Sequence, residues 1–380
     1  MPSPTMTAGG TAQATQGKAA GTAATVAVKP FYRASMEHRE SAGIDVSRLQ
    51  TTSDQDLGAF PIPAYGYIRS LVIWVSVTGG VAGTFAADAP FNVLKNVVLQ
   101  EPNGATIFQA NNGYDLFLVD KYGGYRPNGD PRAYPFFTSA VPNTTFALRV
   151  PLELRGRDGL GALPNQNSAA AFQLRMTIAA STTVYSVAPT TLPNVRIRVF
   201  AEEYDQPSPT SDGTPNQTTP PAMNTTQYWS PQTFPVNVGN NTIRFTRVGN
   251  YIRNLVLEYR DTTGARVLNN TTNWPDVVQL FLDTRPFDTI QRDIWQNQMF
   301  ERYGYGGRAL AVNTAIGLDD GIWPYDFCHE FDGQVGMELN DGWLPTLSST
   351  RLEIQGTFGV AGTLTVLTND VSVAGNVFMA

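Results

Sequence analysis

The segment Tyr67-Ile-Arg-Ser-Leu-Val-Ile-Trp-Val-Ser-Val-Thr-Gly79 returns in altered form as Tyr251-Ile-Arg-Asn-Leu-Val-Leu-Glu-Tyr-Arg-Asp-Thr-Thr-Gly264, 184 residues further on. Two other matches keep the same order. Asp120-Lys-Tyr-Gly-Gly-Tyr125 answers to Glu301-Arg-Tyr-Gly-Tyr305, and Gly161-Ala-Leu-Pro164 to Gly342-Trp-Leu-Pro345, both at an offset of 181. A solenoid repeats every 20 to 50 residues or so; an offset this long means a domain copied in tandem. A chain of 380 residues has room for two such domains, each able to close a core without disulfides.

The pattern within each half is that of strands. Phe146, Leu148, Val150, Leu152 and Leu154 alternate with Ala147, Arg149, Pro151 and Glu153, which places five apolar side chains on one face. Pro151 has no N–H to give to a ladder, so that strand belongs at an edge or carries a bulge. Phe172, Leu174, Met176 and Ile178 repeat the pattern, as do Val195, Ile197 and Val199. Leu71-Val-Ile-Trp-Val75 is instead a continuous apolar run, as expected of a strand covered on both sides, with a packing interface on its outer face. The 34 Gly and 26 Pro suit many short strands and turns.

One helix is expected at an equivalent place in each half. In the second, Asp288 can cap a helix with Gln291 three residues on, Ile290, Ile294, Trp295 and Met299 keep helical spacing, and Gly304 supplies a stop. In the first, Tyr114 to Tyr122 before Gly123 is the counterpart. No long amphipathic helix occurs elsewhere.

Four segments follow. Residues 1–45 read as an extended arm, poor in bulky apolar side chains apart from a Phe31-Tyr32 anchor. Residues 46–205 form the first domain. The stretch 206–224, with five prolines between Gln206 and Pro221, is a semi-extended linker, and residues 225–380 form the second domain.

Net charge is −6, so the folded surface is a poor general binder of phosphate backbones, and direct sequence-specific nucleic-acid binding is not expected. Up to residue 36 the arm carries Lys18, Lys29 and Arg33 and no acid, a mild positive charge that suits anionic lipid headgroups or neighbouring subunits better than a condensed genome. The single cysteine, Cys328, rules out an internal disulfide framework and fits assembly in a reducing cytoplasm. Neither a signal-peptide core at the N-terminus nor a membrane-spanning apolar run is evident. The sequons at Asn143, Asn216, Asn224, Asn240, Asn269 and Asn270 read as chance in a chain rich in Asn and Thr.

All-β halves, each with one long helix-containing connection, point to tandem eight-stranded jelly rolls. With the arm, the Pro-rich connector and the stretch Gly321-Ile-Trp-Pro-Tyr-Asp-Phe-Cys-His-Glu330 before Gly342-Trp-Leu-Pro345, the chain resembles the double jelly-roll major capsid proteins of the tectivirus type. That resemblance implies a homotrimer of six similar rolls, forming a pseudo-hexagonal tile of an icosahedral shell. It also implies contacts with neighbouring capsomers and with minor capsid and vertex proteins, and an arm lying near an internal viral membrane. The scarcity of lysine, with only Lys18, Lys29, Lys95 and Lys121, hints at a GC-rich genome and a bacteriophage.

Residues that could carry chemistry are few. Only His38 and His329 supply imidazole. Asp326, Cys328, His329 and Glu330 are the densest group of metal-ligand types, but adjacent strand residues point to opposite faces. Asp319-Asp320-Gly321 lacks the spaced oxygens of a calcium loop. The rival reading, a carbohydrate-binding or carbohydrate-active jelly roll, would use Glu202, Glu203 and Asp205, with Trp229, Trp323 and Trp343 as a sugar platform. No catalytic, cofactor-binding or metal residue is assigned, and the chain is read as a non-enzyme without a cofactor.

Overall fold

The period-two apolar pattern resolves into strands that swap repeatedly between two facing sheets. In the first half these are β1 (Glu37–Leu49), β2 (Gln55–Pro61), β3 (Tyr67–Thr78), β4 (Leu94–Gln100), β5 (Thr106–Asn112), β6 (Thr144–Pro151), β7 (Gln173–Ile178) and β8 (Asn194–Tyr204). They pair antiparallel in the orders β1-β8-β3-β6 and β2-β7-β4-β5. The second half repeats the scheme with β9 (Thr226–Val236), β10 (Gly239–Phe245), β11 (Tyr251–Asp261), β12 (Val277–Leu282), β13 (Arg285–Gln291), β14 (Ile322–Asp326), β15 (Leu352–Phe358) and β16 (Gly362–Ser372). Its sheets are β9-β16-β11-β14 and β10-β15-β12-β13. This alternation between sheets is the jelly-roll path, traced twice. The computed structural model describes residues 27–123, 143–155, 158–221, 223, 225–268, 272–303, 320–327 and 342–372.

The internal repeat is a repeat of structure. Tyr67 and Ile68 at the start of β3 pair with Pro164 and Leu163, and Tyr251 and Ile252 at the start of β11 pair with Pro345 and Leu344 in the same register. Two of the three sequence matches therefore meet each other in space. The third marks helix ends: α1 (Gly113–Tyr122) and α2 (Arg292–Tyr303) each follow the fifth strand of their roll and end on the matched tyrosines Tyr122 and Tyr303.

Burial follows the pleat. Leu71, Ile73, Val75 and Val77 of β3 are fully buried, while Val72, Trp74 and Ser76 on the other face are half-buried. Phe146, Leu148 and Val150 face the same core from β6, an edge strand whose last residue is Pro151. The core of the second roll is aromatic: the Trp274 and Trp323 rings stack at 4.9 Å, with Tyr259, Trp295 and Phe358 packed around Trp274. Among the described residues no helix is long and apolar enough to cross a membrane.

Two expected boundaries move. Strand β1 begins at Glu37, inside the segment 1–45 read as an arm; only Ala42 and Ile44 of its residues are buried, so its polar composition reflects one wet face. In the second roll the helix starts at Arg292, four residues after the expected cap. Asp288 and Ile290 lie in β13, paired with Leu280 and Val278, because the ladder to β12 outcompetes another helical turn. Asp288 accepts a hydrogen bond from the Tyr325 hydroxyl (2.6 Å) instead of capping. Trp295 and Met299 do form the buried helix face, but Ile294 is 53% exposed.

Candidate assembly seam

Helix α1 carries the sequence Gly-Tyr-Asp-Leu-Phe-Leu-Val-Asp-Lys-Tyr, and all ten residues are buried. Its N-terminus is closed by side chains: Asn112 Oδ1 accepts from the Asp115 N–H at 2.8 Å, and Asp115 Oδ2 accepts from the Asn111 N–H at 3.1 Å. A helix buried all round needs cover on every side. The first roll supplies one side, where Phe117 stacks on Phe91 at 4.4 Å, and the second roll supplies another.

The second roll meets both ends of α1 through β11. At the C-terminal end, Arg253 Nη2 donates to the Gly123 carbonyl and Asn254 Nδ2 to the Tyr122 carbonyl, each at 3.2 Å, satisfying groups that a helix end leaves orphaned. At the N-terminal end, Asp88 of the first roll receives Arg260 Nη2 at 2.8 Å and Arg266 Nε at 3.0 Å. Arg260 also pairs with Glu258, and Arg266 Nη1 donates to the Asp320 carbonyl at 2.5 Å. Both guanidinium groups lie over the Tyr114 ring, at 5.8 and 5.1 Å from its centre.

Burial sets the electrostatics. It pushes the Asp115 carboxyl up to about 7, helped by the nearby Glu258 charge, and raises Glu258 as well. Burial also drives the Tyr114 hydroxyl well above its usual range. Burial alone would favour neutral Arg260 and Arg266, but the acids around them hold both above the ordinary arginine value. Removing one partner from such a buried network costs roughly 3–5 kcal/mol, so it fixes how one roll sits on the other.

A second polar knot ties the rolls near the linker. Gln227 Nε2 donates to the Glu153 carbonyl at 3.1 Å, while Gln227 Oε1 accepts from Trp229 Nε1 (3.2 Å) and Asn369 Nδ2 (3.1 Å). The sheets themselves join here through one parallel bridge, Phe108 of β5 to Trp229 of β9. The arm docks beside it. Phe31 is 1% exposed, edge-on to Tyr67 and Tyr204 at 5.3 and 5.4 Å, whereas its neighbour Tyr32 is exposed. The anchor is therefore Phe31 alone, and Lys29 adds backbone hydrogen bonds to Pro215 and Gln217 of the linker.

The residues weighed for chemistry are dispersed. Glu202 and Glu203 fall on opposite faces of β8. Burial would raise Glu202, but a hydrogen bond from Ser70 and the charges of Arg149 and Arg39 hold it below the usual carboxylate range. Glu203 is pushed up to about 7 by burial. Asp205 accepts from the Tyr65 hydroxyl. Trp229, Trp323 and Trp343 are 1%, 0% and 3% exposed, so they offer no face to a sugar, which removes the platform of the carbohydrate reading. His38 lies on β1 against the Tyr65 ring, with Nε2 3.8 Å from the Glu40 carboxylate. Asp320 is buried and Asp326 ends β14; Asp319, Cys328, His329 and Glu330 lie outside the described residues. Among the described residues, no three His, Cys, Asp or Glu side chains gather as metal ligands do.

The seam residues Asp88, Asp115, Glu258, Arg260 and Arg266 were absent from the sequence reading. Their signal was present as charges set into apolar surroundings: Glu258 and Arg260 in a run otherwise like Leu71–Val75, and Asp115 in an apolar helix.

Two tandem jelly rolls, each with a helix after its fifth strand and locked by one helix-filled seam, make this a double jelly-roll protein. No family model matches the chain, and no curated protein matches its sequence. Solved structures do match along nearly its whole length. It is similar to the major capsid protein (MCP) of STIV, with a TM-score of 0.62 and 13% identity over 91% of this chain and 99% of that one. It is also similar to the major capsid protein of bacteriophage PM2 (TM-score 0.51, 11% identity, 90% and 99% covered) and to a PBCV-1 virus capsid chain (0.54, 11%, 89% and 94%). At these identities the shared property is the fold.

Proposed function

We propose that the chain is the major capsid protein of an icosahedral virus, a structural protein of the virion with no enzymatic role. The observation that carries this is the pair of tandem jelly rolls, spanning the length of the major capsid proteins it resembles. Side-by-side rolls suit a tile: three chains about a threefold axis place six similar rolls in a ring, and near-hexagonal tiles pave large closed surfaces. In this reading the segments are an arm, two rolls and the Pro-rich connector, and the tile meets neighbouring capsomers and minor capsid and vertex proteins. The mildly basic arm lies at the inner face, toward an internal lipid membrane, and the shell assembles in the host cytoplasm. The likeness to the PM2 protein favours a bacteriophage.

The test is assembly. Purified protein should run as a trimer and build particles visible by electron microscopy, and a chain lacking residues 1–28 should keep the trimer and fail to form shells. Retention on a carbohydrate column, or release of sugar, with no particles would favour a lectin or hydrolase instead.

A further inference from the structure

Phe31 sits where three parts of the chain meet. Its ring is held edge-on by Tyr67 and Tyr204 of the first roll and lies against the backbone of Gly159, where an added Cβ would come within 3.1 Å of it. Its N–H donates to Gln217 Oε1 of the linker at 3.4 Å. Two residues earlier the Lys29 N–H donates to the Pro215 carbonyl and the Lys29 carbonyl accepts from the Gln217 N–H, both at 2.9 Å, while the Tyr67 hydroxyl donates to the Thr218 carbonyl at 3.3 Å. The docked arm therefore clips the linker onto the first roll, and the same linker runs on into β9 of the second.

A second connection runs through side chains. Tyr204, whose ring faces Phe31, donates its hydroxyl to Glu153 Oε1 at 2.7 Å, and Arg69, stacked on that ring at 4.5 Å, donates to Glu153 Oε2 at 2.9 Å. Glu153 opens a turn whose two limbs are tied by a bond from the Leu154 N–H to the Leu160 carbonyl (2.8 Å), and Gly159 behind the Phe31 ring belongs to the second limb. In the first limb the Glu153 carbonyl accepts from Gln227 of the second roll, the residue that holds Trp229 and Asn369. One turn thus touches the arm at Gly159 and the second roll at Glu153.

The two ends of this connection differ in strength. Glu153, Tyr204 and Gln227 are 4%, 2% and 2% exposed, so breaking their bonds leaves polar groups away from water. The arm is lightly held: Val28, Tyr32 and Met36, on either side of Phe31, are 58%, 38% and 70% exposed. A segment anchored by one buried side chain opens at far lower cost than a core strand.

We infer that the arm is a latch on the joint between the rolls: Phe31 in its socket favours the Gln227-bonded arrangement, and withdrawal of the arm loosens that joint while both sandwiches stay folded. Such coupling is reciprocal, so loosening the joint releases the arm in turn. Whatever captures residues 27–36 acts on the joint as well, and the latch holds whether or not the chain builds a shell.

Hydrogen–deuterium exchange of the full chain reads both ends at once. Peptides over residues 27–36 report the arm and those over 226–232 the joint; peptides over 352–358, in the outer sheet of the second roll, are the control. Phe31→Ala should speed exchange at 226–232 about tenfold, and Gln227→Ala should speed exchange at 27–36 by a comparable factor, with 352–358 unchanged in both. Effects confined to each variant's own segment, with the other segment at its wild-type rate, would overturn the latch. Should Gln227→Ala also speed exchange at 352–358, the second roll itself has been weakened and Phe31→Ala decides alone. Its arm lies outside both sandwiches, and an unchanged 226–232 in that variant overturns the latch. Neither outcome bears on assembly, which the particle test above measures separately.

Discussion

Replacing Asp115 by Asn should stabilise the protein in alkaline solution and flatten part of its stability–pH profile. The Asp115 carboxyl ordinarily titrates at 3.8, and in the fold burial, with Glu258 beside it, raises this to about 7. Between those values the folded state holds a proton that the unfolded state has lost, so wild-type stability declines as pH rises from about 4 to about 7 and the penalty is complete above 7. A shift of roughly three units at about 1.4 kcal/mol each bounds the effect at about 4 kcal/mol. Glu258 titrates jointly with Asp115 and shares that penalty, so about 2 kcal/mol is the working figure. Asparagine keeps an oxygen for the Asn111 N–H and never ionises. The charged neighbours Asp88, Glu258, Arg260 and Arg266 and the Tyr114 hydroxyl stay in place. Denaturant unfolding of both proteins at pH 5, 7 and 9 measures the difference. The Asn variant should gain about 1 kcal/mol over wild type at pH 9 relative to pH 5, because roughly a third of the penalty is already in place at pH 5. Glu203 is also raised to about 7 and slopes the wild-type curve in the same sense, so the gap between the two proteins is the readout. Parallel curves, or an Asn variant that loses ground as pH rises, would refute the argument that Asp115 is held protonated by the seam.

Phe31→Ala should release the ordered end of the arm without unfolding the roll; limited proteolysis near residues 27–36 should speed up at least tenfold while the melting temperature falls by only a few degrees. Trp323→Ala, by contrast, opens a cavity under Trp274 in the aromatic core and should cost about 3–5 kcal/mol, read by denaturant unfolding. Gly321→Ala should cost more than about 1 kcal/mol, because φ is +87° there and a Cβ would come within 2.6 Å of the Val267 carbonyl oxygen. A melting temperature equal to wild type would show that the turn has room to relax.

Much of this architecture was legible because its causes are local. Alternation in Phe146–Val150, Leu174–Ile178 and Val195–Val199 depends only on the two-residue pleat, and each run is a strand with its apolar face buried. The α1 helix was visible in its length, its Gly123 stop and its apolar content. Ile290 misled for the same reason: spacing between Ile290 and Ile294 satisfies a helix, but Ile290 pairs instead with Val278 in a hairpin that turns at Asp283-Thr284, a competing local pattern. The tryptophans misled as well, since their sequence says nothing about whether a ring faces solvent or, like Trp274 and Trp323, another ring.

By itself the sequence determined that this chain is two copies of one β unit, because a duplicated run such as Tyr67–Gly79 and Tyr251–Gly264 carries its pleat, its strand length and its turn with it. The tertiary structure alone decided which copy is covered. Val256 and Glu258 are sealed under α1 while Val72 and Trp74 stay half open, and the acids and arginines around Tyr114 hold shifted protonation. The physical reason is that burial and charge coupling are sums over neighbours brought together by the fold, and two related strands acquire different neighbours once one roll has another roll at its side.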